Sequence, residues 1–127
     1  MRRWTVAVAL VLVACAVAGA SAAPRSRLGG CPRSALPLTA NSIAPASRAA
    51  FAREKPGSRP QVTGATTAPA DVQRGGIAKH ECGTRVWRRT VVVYITLRAF
   101  LPSASLSERV SFVSRLRTGY RVWQVVH

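Results

Sequence analysis

The fold is decided by residues 82–127, which read CGTRVWRRTVVVYITLRAFLPSASLSERVSFVSRLRTGYRVWQVVH. Runs of β-branched and aromatic residues are interrupted by a Pro/Ser segment at 101–107 and by a Thr-Gly pair at 118–119. β-branched and aromatic runs separated by such breaks are typical of antiparallel strands. The block therefore predicts three consecutive strands, and their apolar side needs a covering layer.

The first predicted strand covers residues 86–98 and has two unlike faces. One face is wholly apolar, with Val91, Val93, Ile95 and Leu97 at a spacing of two. The other is mixed, with Thr90, Val92, Tyr94 and Thr96. We expect the apolar face to meet a helix, and Pro102 to stop the strand because proline lacks an N–H for the ladder.

Residues 106–116 and 120–127 are predicted to form a hairpin with a two-residue loop at Thr118-Gly119. This loop would pair Leu116 with Arg121, Ser114 with Trp123, Phe112 with Val125, and Val110 with His127. One face of the hairpin would then hold the core residues Val110, Phe112, Trp123 and Val125. The opposite face would hold Arg115, Arg117, Tyr120 and Gln124.

Upstream, residues 43–55 are predicted to form an amphipathic helix that begins after Ser42 and ends before Pro56-Gly57. Its apolar face comprises Ile43, Ala46, Ala50 and Phe51. Residues 60–68 predict an edge strand, residues 74–76 a turn, and residues 77–82 a short pairing segment.

The front of the chain predicts export. Arg2 and Arg3 precede an apolar run and then small residues, which is typical of a signal peptide at 1–22. An extended leader at 23–41 and a single domain at 42–127 follow. Two alternatives to cleavage stay open: lipidation of Cys15, because residues 12–15 match a lipobox, and an uncleaved membrane anchor at 4–23.

The cysteine count predicts a disulfide. Loss or lipidation of Cys15 leaves Cys31 and Cys82, an even pair in an exported protein. Two unpaired thiols are the alternative.

The charge is strongly positive, with 19 Lys and Arg residues against 4 Asp and Glu. Without Arg2 and Arg3 it is still +13. Arginines cluster beside aromatic rings, a combination that binds polyanions by charge and stacking. The candidate residues are Arg85, Trp87, Arg88, Arg89, Arg115, Arg117, Tyr120 and Arg121.

Export argues against nucleic acid as the partner of these residues and favours an anionic cell-wall polymer or lipid headgroups. A solvated basic face without a ligand is the alternative reading.

No catalytic, metal or cofactor motif is predicted. His80, Glu81 and Cys82 are adjacent, but no second pair stands at zinc spacing. Ser103, Ser105 and Ser107 lack a nucleophile elbow, and residues 74–76 lack the lysine and spacing of a phosphate-binding loop.

The pattern of Cys82-Gly83, residues 89–93, residues 101–107 and residues 119–123 with a terminal His127 resembles small secreted proteins, some of them lipoproteins, of actinobacteria. This resemblance implies no activity. The expected architecture is also similar to cystatin-like and nuclear-transport-factor-like domains, from which function does not follow.

The predicted fold class is α+β: one N-terminal helix packs on a three- or four-stranded antiparallel sheet, preceded by a signal segment and an extended leader. The expected function is a non-enzymatic envelope or extracellular binding module that meets an anionic partner through arginines. The alternative is an accessory or structural protein with a protein partner at the sheet. A hydrolase-like pocket between helix and sheet is a third hypothesis.

Overall fold

The computed structural model describes residues 26–27, 29–102 and 106–127. The predicted signal peptide, the cleavage site, the alternative anchor and Cys15 all lie outside these residues. The first part of the predicted leader does so too. Among the described residues, no helix has the length and apolar character needed to cross a bilayer.

The described residues form an α+β domain, as predicted. In chain order the elements are β1 (Ser26–Arg27), α1 (Ile43–Ala52), β2 (Pro60–Thr67), α2 (Gly75–Trp87), β3 (Thr90–Leu97), β4 (Glu108–Leu116) and β5 (Gly119–Val126). Short 3-10 turns lie at Pro56–Ser58 and Ala68–Ala70. The strands form one antiparallel sheet in the order β1-β5-β4-β3-β2, in which β1 contributes only two residues.

Helix α1 covers the sheet face that the sequence indicated. Ala46 and Ala50 are fully buried against the odd-numbered face of β3, where Val91, Val93, Ile95 and Leu97 lie. Alanines at the contact let the helix lie close to the sheet. The helix ends at Ala52, three residues before the predicted end. Ser42 makes no side-chain cap; its hydroxyl instead accepts the Thr39 N–H at 2.8 Å.

Helix α2 corrects the prediction for residues 74–88, which the sequence had assigned to a turn and strands. Gly83, with a φ of +82°, divides α2 into two helical segments joined at a kink. Ala78 in the first segment and Val86 in the second are buried, and with both segments α2 covers the second face of the sheet. Asp71 explains its start, since one carboxylate oxygen accepts the N–H groups of residues 73, 74 and 75 at 2.9, 2.7 and 3.3 Å. Free N–H groups at a helix start need such an acceptor. The sheet therefore lies between two helices, and β3 begins at Thr90 rather than at residue 86.

The β4–β5 hairpin is present, but its predicted register is wrong. Leu116 pairs with Gly119 and Ser114 with Arg121, so the turn is Arg117-Thr118. A bulge follows Val122, after which Phe112 pairs with Gln124. Gly119 has a φ of +127°, a backbone conformation that residues with side chains rarely adopt.

The bulge redistributes the predicted hairpin faces. Phe112 and Trp123 share a core face as expected, with ring centroids 5.6 Å apart, and it is α2 that covers them. Val125 lies in the opposite core beneath α1. Gln124, expected beside Tyr120, instead lines a small cavity with Trp123. One extra residue at the bulge shifts each later side chain of β5 to the opposite face of the sheet.

Strand β2 is an edge strand, as predicted. It pairs with β3 from Pro60 to Thr67, with an irregularity between Val62 and Gly64. No described strand pairs with its outer side.

Candidate functional site

The two predicted arginine clusters meet at one end of the sheet. Thr90, the first residue of β3, pairs with Ser114, which in turn pairs with Arg121 across the hairpin. The residues just before β3 and those around the β4–β5 turn therefore lie side by side. We call this region the hairpin end.

The leader crosses the hairpin end and uses three of the predicted arginines. Arg89 donates from Nη1 to the Ala35 carbonyl at 2.6 Å, and Arg115 donates to the Pro37 carbonyl at 3.4 Å. Arg121 donates from Nη2 to the Gly30 carbonyl at 3.4 Å. These guanidinium groups therefore have a structural role, because they satisfy leader carbonyls that no strand pairs.

The predicted disulfide between Cys31 and Cys82 is confirmed. It joins the leader to α2 across 51 residues, with the two Cα atoms 5.5 Å apart. The disulfide thus fixes the leader covalently to the domain, close to the leader carbonyls that accept hydrogen bonds from the arginines.

Both predicted stacking aromatics are packed into the domain. Trp87 is half-buried beside the α2 core, and Lys79 Nζ lies 5.0 Å from its ring centroid, a cation–π contact. Tyr120 packs beside the α1 core and donates its hydroxyl to Ser42 Oγ at 3.2 Å. A ligand at the hairpin end would therefore contact mainly charged side chains, because these two rings are packed against the domain.

Three predicted arginines, Arg85, Arg88 and Arg117, are exposed at the hairpin end. Arg33, on the leader between the carbonyls of Gly30 and Ala35, is also exposed and adds a fourth cation. Sequence reasoning missed Arg33 because the leader has no periodicity to place it. These four residues form the basic surface.

The acidic side chains are mostly used elsewhere. Glu54 is bound to Arg109 at 2.9 Å, and Glu108 also lies at the far end of the sheet. Asp71 accepts the N–H groups at the start of α2, and Glu81 lies within α2. Glu81, however, lines the small cavity beside Gly30 and Cys31 of the leader, so it offsets part of the positive charge at the hairpin end, which remains in excess.

Asp71 and Tyr94 form a partly buried polar pair that joins the start of α2 to β3. Tyr94 donates its hydroxyl to Asp71 Oδ2 at 2.7 Å. Burial, together with this hydrogen bond, raises the pKa of Tyr94 to about 12. Burial opposes ionisation of Asp71, but the Arg74 N–H, the Tyr94 hydroxyl and the other two N–H groups outweigh it and lower the pKa of Asp71. The pair stabilises the start of the helix.

The remaining candidate chemistry is not assembled. His80, Glu81 and Cys82 follow one another on α2 rather than on a strand, and Cys82 is in the disulfide. Within the described residues, no three His, Cys, Asp or Glu side chains are grouped so that they could hold a metal ion. Ser107 is buried and donates to the Pro102 carbonyl at 3.2 Å, while Ser103 and Ser105 lie outside the described residues.

The cavity between α2 and the sheet is small. It has a volume of about 10 Å³ and is lined by Gly30, Cys31, Glu81, Cys82, Trp123 and Gln124. A space of this size admits a single water molecule. A larger cavity, of about 270 Å³, lies at the far end of the sheet and is lined by Thr96, Arg98, Phe100, Pro102, Ser107 and Glu108.

Searches for similar proteins give no guide to this site: no protein-family model, no curated protein and no solved structure matches the chain.

Proposed function

We propose that the protein is a non-enzymatic, exported binding module whose basic surface binds an anionic polymer of the cell envelope. The observation that carries this proposal is the exposure of Arg33, Arg85, Arg88 and Arg117 at one end of the sheet. The three neighbouring arginines that are committed to the leader add positive potential behind them.

The chemistry of the surface favours a polymer that repeats phosphate or carboxylate groups. Arginine presents several N–H donors in a planar fork that matches both groups. An exposed surface without a deep pocket gains little from one anion in water, but several simultaneous contacts release counterions from a polymer. Charge density along the ligand is thus the expected basis of recognition.

The test is binding of the full chain to poly(glycerol phosphate) over a range of salt concentrations. If three or more phosphates are contacted, the affinity should fall with a log-log slope of about −2 to −3. Uncharged dextran should not bind. Binding to the phosphate polymer that is flat in salt would refute the proposal.

Matched triple variants separate the basic surface from net charge. Neutralising Arg85, Arg88 and Arg117 to Gln should reduce the slope by about one per lost phosphate contact. The control neutralises Arg53, Arg59 and Arg98, which are equally exposed but lie at the other end of the sheet. Equal losses in the two triples would show that net charge, and not this surface, binds the polymer.

A protein partner at the sheet is the second candidate, and the outer edge of β2 favours it. That edge has no pairing strand among the described residues, so its backbone groups are free to receive an added strand. Pro60 and the irregularity at Val62 oppose such pairing. Both sheet faces are covered by helices, so this edge is where a protein partner would bind, with an affinity that depends little on salt.

A further inference from the structure

Large apolar side chains are exposed at the end of the sheet opposite the hairpin end. There β3 ends at Leu97 and β4 begins at Glu108, and we call this region the loop end. Phe100, Leu101 and Leu106 are 40, 75 and 48 % exposed. Phe51, 46 % exposed, is near the C-terminus of α1.

The direction of α1 places Phe51 at the loop end. Ser42, before the helix, accepts the hydroxyl of Tyr120 near the hairpin turn. Glu54, after the helix, binds Arg109 near the start of β4. The helix thus runs from the hairpin end to the loop end. Among the described residues, Val72 is the other large hydrophobic side chain that is strongly exposed.

Backbone hydrogen bonds hold Phe100 and the base of the loop end in place. The Leu97 N–H donates to the Ser107 carbonyl at 2.7 Å, and the Phe100 N–H donates to the Leu97 carbonyl at 3.1 Å. The Ala99 N–H donates to the Ser58 carbonyl at 3.1 Å, which ties the loop to the turn after α1. The backbone around Phe100 is therefore held by hydrogen bonds in the position that exposes its side chain.

Cations surround these apolar residues. Arg53, Lys55, Arg59 and Arg98 are all exposed. The Arg98 N–H donates to the Arg59 carbonyl at 3.1 Å, so these two residues are neighbours. The acidic residues here are Glu54, which is buried against Arg109, and the exposed Glu108. The loop end thus combines exposed apolar side chains with a net positive charge.

We propose that the loop end docks on the surface of an anionic lipid bilayer. Phe100, Leu101 and Leu106 would enter the boundary between headgroups and acyl chains, and Arg59 and Arg98 would lie against the lipid phosphates. Apolar area and positive charge together are what binding at a charged bilayer surface requires. A soluble polyanion would use only the charges.

The separation of the two ends lets both surfaces act at once. Strand β3 has 8 residues, and at a rise of roughly 3.3 Å per residue it separates the ends by more than 20 Å. A bilayer at the loop end therefore leaves the basic surface free to bind a polymer.

Photo-crosslinking in the full chain gives a local readout that does not depend on the apolar N-terminal residues. A benzophenone amino acid is introduced at position 101, and, as the matched control, at position 72, where Val72 is exposed and follows Asp71, whose N–H donates to the carbonyl of Thr67 at the hairpin end of β2. With vesicles of phosphatidylglycerol and phosphatidylcholine, we expect lipid adducts from position 101 and few or none from position 72. Equal yields at the two positions, or none at position 101, would overturn the proposal.

Vesicle partitioning of variants completes the test. Leu101→Ser should lower the partition coefficient about tenfold, because a large apolar side chain no longer leaves water. The Val72→Ser control should leave it unchanged. Arg59→Gln with Arg98→Gln should lower it roughly twentyfold on anionic vesicles. An unchanged coefficient for Leu101→Ser, or capture of a second copy of the chain or another protein at position 101 in place of lipid, would reject the bilayer as the partner.

Discussion

Removing the disulfide tests how the leader and the domain depend on each other. The variant carries Cys31→Ser and Cys82→Ser, which keeps the size of both side chains close to the original. The bond joins the leader, which carries the two-residue strand β1, to α2, and it spans 51 residues. Its loss should act chiefly through the unfolded chain, which gains conformational freedom when the loop is opened.

The magnitude follows from the loop length. For a loop of about fifty residues, the lost chain entropy corresponds to about 4 kcal/mol of unfolding free energy at 25 °C. A domain of this size has a total stability of roughly 5 to 15 kcal/mol, so this is a large fraction. The three arginine hydrogen bonds to leader carbonyls remain in the variant, so the leader should stay against the folded sheet and the loss should appear in the global unfolding transition.

Urea unfolding followed by far-UV circular dichroism measures the change. With a urea slope of about 1 to 2 kcal/mol per molar, the midpoint should fall by roughly 2 to 4 M. A reduced wild-type chain should behave like the variant. A midpoint shift below about 0.5 M in both would refute the reasoning, because the disulfide would then contribute almost nothing to stability.

Three further predictions concern the core and the buried polar groups. Trp123→Ala should cost about 3 to 5 kcal/mol in a urea titration, because the ring is buried and its removal leaves a cavity; an unchanged midpoint would contradict this. The lowered pKa of Asp71 means that its contribution to stability is present above about pH 4 and is lost as the pH falls through its folded pKa. Asp71→Asn should therefore flatten the stability profile between about pH 5 and pH 2, and a profile parallel to wild type would contradict the assignment. Arg109→Leu should cost about 1 to 3 kcal/mol, since Glu54 loses its partner, whereas Arg109→Lys should recover part of that loss.

The parts of the fold that were predicted correctly share a simple physical basis. Val91, Val93, Ile95 and Leu97 occupy alternate positions, and a β-strand places alternate side chains on the same face. An apolar face of this kind must be covered, here by a helix. The helix at α1 and the edge position of β2 follow from equally local signals, namely a helical apolar face and strand residues next to proline. These features depend on neighbours within a few positions along the chain.

Helix α2 was missed because its signal is weak. Its apolar residues Ala78 and Cys82 are small, and Gly83, with a φ of +82°, interrupts the helical backbone before Val86, so no continuous apolar face runs along residues 75–87. The decisive contribution is Asp71, which lies before the helix and is held by Tyr94 of β3. An Asp that can accept N–H groups two to four residues later, as Asp71 does just before Gly75, is the sequence signal that could have found the start of the helix.

The hairpin register was missed for a related reason. A turn at Thr118-Gly119 satisfies the local preferences of both residues, but Gly119 instead opens β5 with a positive φ. The bulge after Val122 buries Trp123 under α2 while Val122 and Val125 remain under α1. The register is set by packing against both cores, one under α1 and one under α2. The sequence of β5 alone does not show that a second core exists.

Residue order, composition and period predict export, the α+β class, the disulfide pair and the concentration of arginine. The α+β class and the disulfide are present in the structure, while export stays a prediction. Which arginines are free was not predictable, because it depends on where the leader lies. Arg89, Arg115 and Arg121 bind carbonyls that are 54 to 91 residues away in the chain, and Arg33 is placed beside them by the same leader. Six arginines that look equivalent in sequence thus divide into three that hold the leader and three that face solvent, since only folding brings a distant backbone acceptor within hydrogen-bond distance.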